Sequence, residues 1–279
     1  MSKPLVVLVT GCTTGGMGFH FAEEYAREGC KVYATARNVD AMKGFSGTNI
    51  YRRKVDVTSS EDIDAVVEEI MENEGRIDIV VNNAGVIGIS PIVDLDLDKV
   101  QRTFDANTFS LIRMAKAVVP HMAKARSGLI VNIGSVVGNL ASPWNGLYAS
   151  TKAAQHSLSD NLAMELSPFN IRVMLVAPGG VKSNIASNGA AEFNLPSNSL
   201  YVPWLDNIIA RMWLSQGPRS WPADRFAKHI VSQTLRANPP RYISVGAWTT
   251  VYKILAWLPR SLALWVLWRN SSKLKKAVA

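Results

Sequence analysis

The sequence is poor in cysteine, in histidine and, over its last third, in acidic residues. Cys12 and Cys30 are the two cysteines of 279 residues, which excludes a disulfide framework and a thiolate metal site and favours a reducing compartment. His20, His121, His156 and His229 show no metal-ligand spacing, so no metal is expected. No stretch of about 18 uninterrupted apolar residues occurs, so no ordinary transmembrane helix is expected. The start, MSKPLVVLVTG, lacks a full apolar region with a cleavage site and does not read as a signal peptide. Residues 200–279 hold 2 Asp+Glu against 12 Lys+Arg, whereas residues 1–199 hold 20 against 18. The net charge of +8 therefore hides a near-neutral body and a basic end, and that end also holds seven of the eight tryptophans. A uniformly basic nucleic-acid binder is excluded by this split. A hydrophobic content of 48% with 19% charged residues excludes a disordered chain and supports a sizeable core.

What is present, over the first 180 residues, is alternation. Short Val- and Ile-rich runs at 5–9, 31–35, 78–81, 128–133 and 171–176 read as buried strands. Helical spacing fills 17–28, 60–74, 98–125 and 149–167 between them. Near-continuous apolar strands separated by helices imply a parallel sheet covered on both faces, the doubly wound Rossmann pattern of α/β proteins, with about seven strands. Residues 184–200 turn small and polar and read as a flexible loop; 201–215 and 222–236 read as short helices, and 241–245 as a last strand. Residues 1–247 form the expected Rossmann unit, with 184–221 as a substrate lid. Residues 248–279 form an aromatic, basic helix and tail, interrupted at Pro259.

The first strand runs into Thr10-Gly11-Cys12-Thr13-Thr14-Gly15-Gly16-Met17-Gly18 and then a helix. Glycines at such a turn let the backbone approach a pyrophosphate, and the helix N-terminus offers free N–H groups. Gly11, Thr13, Gly16 and Met17 are the expected contacts, with either Gly15 or Gly16 as the second glycine of the motif. The second strand ends at Ala36-Arg37 without the acidic residue that would bind a ribose 2′-hydroxyl; a guanidinium pairs bidentately with a 2′-phosphate, which favours NADP(H) over NAD(H). A solvated surface arginine is the plainer alternative. Asp56, before Val57, is suited to the adenine amino group or to capping the helix that follows. Asn83, Ala84 and Gly85 suit a tight turn beneath a ligand, or any turn.

Tyr148 and Lys152 are four apart and share a helix face. An ammonium beside a phenol favours the phenolate and lowers its pKa, letting a tyrosine exchange protons nearer neutrality. Ser135 follows the strand 128–133, where crevices form in open α/β sheets, and suits a substrate carbonyl. The glycine run, Asn82-Asn83-Ala84-Gly85, Asn107, Ser135, Tyr148, Lys152 and Pro178-Gly179 stand in the order and spacing of the classical short-chain dehydrogenases/reductases, which residues 4–245 resemble. The resemblance implies that Tyr148 is the general acid, that Lys152 binds the nicotinamide ribose and lowers the tyrosine pKa, that Ser135 orients the carbonyl, and that Asn107 holds a water in a proton relay. It places Pro178, Gly179, Val181 and Ser183 at the nicotinamide amide, with Ser183 where threonine is usual, and Asp56-Val57 in the adenine pocket. The glycine loop is one residue longer than the usual form. Gly-Gly-Met-Gly at 15–18, Ala34–Arg37, residues 167–173 and Trp221-Pro222-Ala223-Asp224 resemble, within the family, the fungal NADPH-dependent 1-acyldihydroxyacetone-phosphate reductases.

The expected function is NADPH-dependent interconversion of a ketone and a secondary alcohol on an apolar, lipid-like or secondary-metabolite substrate. The alternatives are a glycerolipid-precursor reductase specifically, or a non-catalytic NADP(H)-binding regulator. Leu195, Leu200, Val202, Trp204, Ile208, Ile209, Met212 and Trp213 are candidates for an apolar pocket, or for a small satellite core beneath the lid. Lys182 and Arg211 are the basic residues there for an anionic substrate, and neither is diagnostic. The aromatic segment 248–276, with Lys273, Lys275 and Lys276, suits peripheral contact with a membrane or lipid droplet; packing on the substrate cleft or on a second subunit is the rival. The resemblance implies a homodimer or homotetramer through the helices 98–125 and 149–167; the scarce cysteines and the aromatic, basic end suit the cytoplasm, or the periphery of the endoplasmic reticulum or lipid droplets.

Overall fold

The computed structural model describes residues 3–273. Its order is β1 (Val6–Thr10), α1 (Met17–Arg27), β2 (Lys31–Ala36), β3 (Ile50–Lys54), α2 (Ser60–Glu74), β4 (Ile79–Asn82), α3 (Leu97–Phe104), α4 (Ser110–Ala125), β5 (Gly128–Ile133), α5 (Gly146–Glu165), β6 (Ile171–Val176), α6 (Ile185–Ala191), α7 (Leu205–Met212), α8 (Ala223–Thr234), β7 (Tyr242–Ile243), α9 (Thr249–Trp257) and α10 (Arg260–Ser271).

The seven strands form one sheet in the order β3-β2-β1-β4-β5-β6-β7, every neighbouring pair parallel. Alternate residues feed opposite faces, as the two-residue period of a strand requires. Val7, Val9, Ile79, Val81, Val131 and Met174 pack with Phe21 of α1 and Phe226 of α8. Val6, Leu8, Val80, Ile130 and Val173 pack with Val66 of α2, Met114 of α4 and Leu166 at the end of α5. With both faces covered, the inner strands β1, β2, β4, β5 and β6 are largely apolar, and the chain is the Rossmann fold its alternation implies. The order reverses between β1 and β4, so the crevice opens at the strands' C-terminal ends there.

Several local expectations change. The edge strand β3, Ile-Tyr-Arg-Arg-Lys, is half exposed and too polar to stand out as a buried run. The span 98–125 is two helices joined by a π-helical turn at Asp105–Phe109. Residues 184–200 are not wholly loop, because α6 forms within them and Ala186 is fully buried. The helix expected at 201–215 is α7 between two short 3₁₀ turns. Pro259 does divide the last segment, into α9 and α10. Lys275 and Lys276, and the first two residues of the N-terminal stretch, lie outside the described residues.

Candidate active site

The glycine turn, Arg37, Asp56, Asn83, Ala84, Gly85, Ser135 and Pro178 follow the C-terminal ends of the strands, with Tyr148 and Lys152 on α5 and Asn107 in the π-helical turn. Gly11, Thr13, Gly16 and Met17 form the β1–α1 turn. Gly11 has φ +73°, and a Cβ there would meet Ala84 Cα at 2.9 Å; a Cβ on Gly18 would meet the Gly11 carbonyl oxygen at 2.4 Å. The turn must therefore be glycine to bring α1 so close to β1. Gly15 is left-handed, at φ +79°, while Gly16 caps α1 without a side chain and leaves the first N–H groups of the helix open. Asn83 Nδ2 donates to the Thr10 and Gly11 carbonyls at 2.8 and 3.2 Å, and Thr10 Oγ1 accepts from the N–H groups of Asn83 and Ala84 at 3.0 Å each. Asn83 Oδ1 is buried and has no hydrogen-bond donor among the described residues. A cradle lined by backbone and one orphaned acceptor fits a dinucleotide.

Arg37 is exposed just past β2. Asp56, past β3, accepts from the Thr58 N–H at 2.9 Å and the Thr58 hydroxyl at 2.8 Å. Burial raises its pKa, but these bonds and the charges of Arg37 and Arg113 outweigh it and leave the carboxyl below its usual range. Val57 packs beneath, on the core side of that loop.

Met17, Asn83, Gly85, Ser135, Tyr148, Lys152, Pro178, Gly179, Val181 and Ser183 line one continuous crevice. Lys152, on α5, is 3% exposed; its Nζ donates to the Ile133 carbonyl at 2.8 Å and to Gln155 Oε1 at 2.9 Å, and lies 5.5 Å from the Tyr148 ring centre. Burial lowers its pKa to about 7. Burial pushes Tyr148 up to about 12, against the opposing pull of the Arg211 guanidinium and a hydrogen bond with Ser135. The Arg211 guanidinium is thus a second cation, beside the Lys152 that the sequence singles out, whose charge favours the Tyr148 phenolate.

Asn107 is fully buried in the π-helical turn. Its side chain is consumed structurally: Oδ1 accepts from the Val86 N–H at 2.7 Å, and Nδ2 donates to the Val86 carbonyl at 2.9 Å and Thr151 Oγ1 at 3.0 Å. Its carbonyl accepts from Gln155 Nε2. Gln155 therefore bridges Lys152 and Asn107.

Two residues take on positions that the sequence did not define: it assigned His156 no chemistry, and it offered Arg211 only as one of two undiagnostic basic residues. His156, on α5, accepts the Ser135 N–H at 3.4 Å and pairs with Asn139 Oδ1 at 3.0 Å, holding the loop that carries Ser135. Arg211, from α7, reaches the crevice wall beside Tyr252 and Trp248 of the C-terminal segment. Neither signal is local in sequence. Of the apolar lid candidates, Ile208, Met212, Leu195 and Trp204 join Trp144 and Ile89 in a satellite core, while Leu200, Val202, Ile209 and Trp213 are exposed. Met212 is the one of these eight that also lines the crevice. Burial pushes the Cys12 thiol up to about 12 and leaves it inert.

The inner face of α9–α10 packs on the body. Tyr252 joins Val136, Val137, Tyr148 and Ala149, and Leu255 and Ala263 join Leu140. Its outer face is apolar and exposed, with Trp257 87% accessible. No helix among the described residues is long and apolar enough to cross a membrane, and none of their His, Cys, Asp and Glu side chains form a metal-binding group.

Comparison with known proteins gives this geometry its family. The sequence model described as short chain dehydrogenase matches residues 5–192. The short-chain dehydrogenase cctT of Talaromyces islandicus is 34% identical over 272 residues, 95% of either chain. The NADPH-dependent 1-acyldihydroxyacetone phosphate reductase of Schizosaccharomyces pombe is 32% identical over 257 residues, covering 91% of this chain and 83% of its own. A solved short-chain dehydrogenase from Streptomyces avermitilis superposes with a TM-score of 0.80 at 27% identity, covering 98% of both chains. The chain belongs to the short-chain dehydrogenase/reductase family and is an oxidoreductase of that family.

Proposed function

We propose that this protein interconverts a ketone and a secondary alcohol on a largely apolar substrate, using NADP(H). The observation that carries the reading is the convergence of Ser135, Tyr148 and Lys152 on one crevice with the glycine turn. Gly11, Thr13, Gly16 and Met17 would hold the pyrophosphate, Asp56 and Val57 the adenine, and Asn83, Ala84 and Gly85 the floor of the site. Pro178, Gly179, Val181 and Ser183 would flank the nicotinamide, which supplies or accepts a hydride when bound. Ser135 orients the carbonyl oxygen and Tyr148 gives it a proton, or takes one in the oxidative direction. Lys152 binds the ribose, and Asn107 fixes the turn behind it. Arg37 favours the 2′-phosphate, a preference supported by the NADPH dependence of the S. pombe relative.

Tyr148→Phe should keep NADPH binding and lose nearly all NADPH oxidation against a ketone panel, and substantial residual turnover would refute the role. Arg37→Asp should raise KM for NADPH far more than for NADH. NADPH binding with no ketone reduced by the unaltered protein would favour a non-catalytic regulator. Formation of lysophosphatidate from acyl-dihydroxyacetone phosphate would single out the glycerolipid-precursor reductase.

A second reading concerns the C-terminal segment. The exposed Val251, Ile254, Trp257, Leu262 and Trp265, with Lys253, Arg260 and Arg269 among them, favour contact with an anionic lipid surface at the endoplasmic reticulum or a lipid droplet; vesicle flotation tests it. Exposed Phe109, Ile112 and Met164 on and beside α4 and α5 favour a homodimer, which sedimentation at graded concentration would detect.

A further inference from the structure

We infer that Arg211 is the seat for an oxyanion group, carboxylate or phosphate monoester, carried by the substrate itself at a distance from the reacting carbonyl. The inference rests on the ketone–alcohol reading above and narrows its substrate to an anionic amphiphile.

Arg211 is on α7, whose Ile208 and Met212 are anchored in the satellite core. That anchoring turns the guanidinium towards the crevice that Ser135 and Tyr148 also line. The residue is half-buried; the protein around its guanidinium lowers its pKa by desolvation, while its terminal nitrogens stay open to the crevice. Its Nε donates to Ser142 Oγ at 3.1 Å, and Ser142 is itself buried. Its terminal nitrogens have no hydrogen-bond acceptor among the described residues, and no carboxylate there lies within ion-pair distance. The acidic partners it does feel are phenols, Tyr252 and Tyr148.

An arginine cannot escape partial desolvation by losing its proton, so a guanidinium that faces a crevice favours an anion there. This one has a single neutral hydroxyl on one nitrogen. The two free terminal nitrogens form the planar fork that matches a carboxylate or phosphate. The crevice that both line also has apolar walls, with Ile87, Met212, Leu214 and Trp248 among the residues that form them. A ligand that satisfies all three features carries a carbonyl at Tyr148, an apolar stretch, and an oxyanion on Arg211.

The competing explanation is that Arg211 serves Tyr148 alone, by easing its ionisation. Three substrates separate the two: a medium-chain methyl ketone with a terminal carboxylate, its methyl ester, and the corresponding alkyl phosphate. For the intact chain, kcat/KM should favour one or both charged ketones over the ester. In Arg211→Met that preference should fall about 100-fold, as expected when a buried ion-pair partner is lost, and Arg211→Lys should keep part of it. An equal fall for charged and neutral ketones, with a shifted pH profile, would overturn the inference in favour of tuning Tyr148. The two charged substrates show which oxyanion is preferred. Binding is read separately by calorimetry with decanoate, decyl phosphate and decanol. Tighter binding of the anions that disappears in Arg211→Met supports the inference even if no ketone turns over, an outcome that would count against the catalytic reading alone. Equal binding of decanol and the anions overturns the inference.

Discussion

At the scale of single residues, His156 is a test of how the Ser135 loop is held. Burial and the nearby Lys152 charge lower its pKa to about 4, and its Nε2 accepts the Ser135 N–H. The folded protein therefore keeps the ring neutral at pH values where the unfolded chain, with an ordinary histidine pKa of about 6.5, binds a proton. Its contribution to stability is complete above about pH 6.5 and is lost as pH falls towards and through about 4, up to about 3 kcal/mol. Unfolding by denaturant at steps between pH 7 and pH 4 should show that slope in the intact protein and a shallower one in His156→Gln. Equal slopes would remove His156 from this role. The serine, tyrosine and lysine were legible in the sequence because their meaning is local: a position after a strand, and two residues one helical turn apart. His156 was not, and Arg211 stood only as one of two undiagnostic basic candidates, because what defines both is a neighbour from another element. His156 lies 21 residues from Ser135, and Arg211 lies 69 residues from Ser142.

At the scale of elements, the C-terminal hairpin of α9 and α10 is tied at its far end to α7 and the turn before it. Asn207 of α7 donates to the Ser271 and Lys273 carbonyls at 2.9 and 3.0 Å, Trp204 Nε1 donates to the Ser272 carbonyl at 3.1 Å, and the Trp144 and Trp268 rings lie 5.6 Å apart. These bonds satisfy carbonyls that a helix end leaves open, and they link α10 to the same α7 that carries Arg211. Asn207→Ala should cost about 1–3 kcal/mol locally. Faster hydrogen exchange in α10 and a higher KM for the carbonyl substrate should follow, with NADPH affinity little changed. Exchange confined to α7 would show that the tie does not hold α10. The elements that escaped sequence reading share one cause. β3 is an edge strand with polar residues on its open side, α6 is built from small residues around one buried alanine, and the π-helical turn leaves no periodic trace over five residues. The central strands were legible because burial on both faces forces a continuous apolar run.

At the scale of the whole molecule, the uneven charge has a structural counterpart. The near-neutral first 199 residues form most of the sheet, the dinucleotide cradle and the Ser135, Tyr148 and Lys152 cluster. The basic last 80 residues supply α7, α8, β7 and the hairpin. On that hairpin the inner face meets the crevice through Tyr252 and packs on Leu140 through Leu255, while Trp257 and Trp265 face outwards with Lys253, Arg260 and Arg269. The element proposed above for a lipid surface thus has its opposite face on the crevice. Each cation near an anionic surface contributes about 1 kcal/mol. Replacing these three by glutamate should therefore weaken partitioning onto phosphatidylserine-containing vesicles by at least about 100-fold at low salt. High salt should weaken the unaltered chain's binding in the same direction, because the screening length falls to about 10 Å at 0.1 M. Turnover of a water-soluble ketone should be preserved in the triple variant, since none of the three lines the crevice. Sucrose-gradient flotation beside that assay checks both halves, and undiminished flotation of the triple variant would detach the basic end from any lipid role.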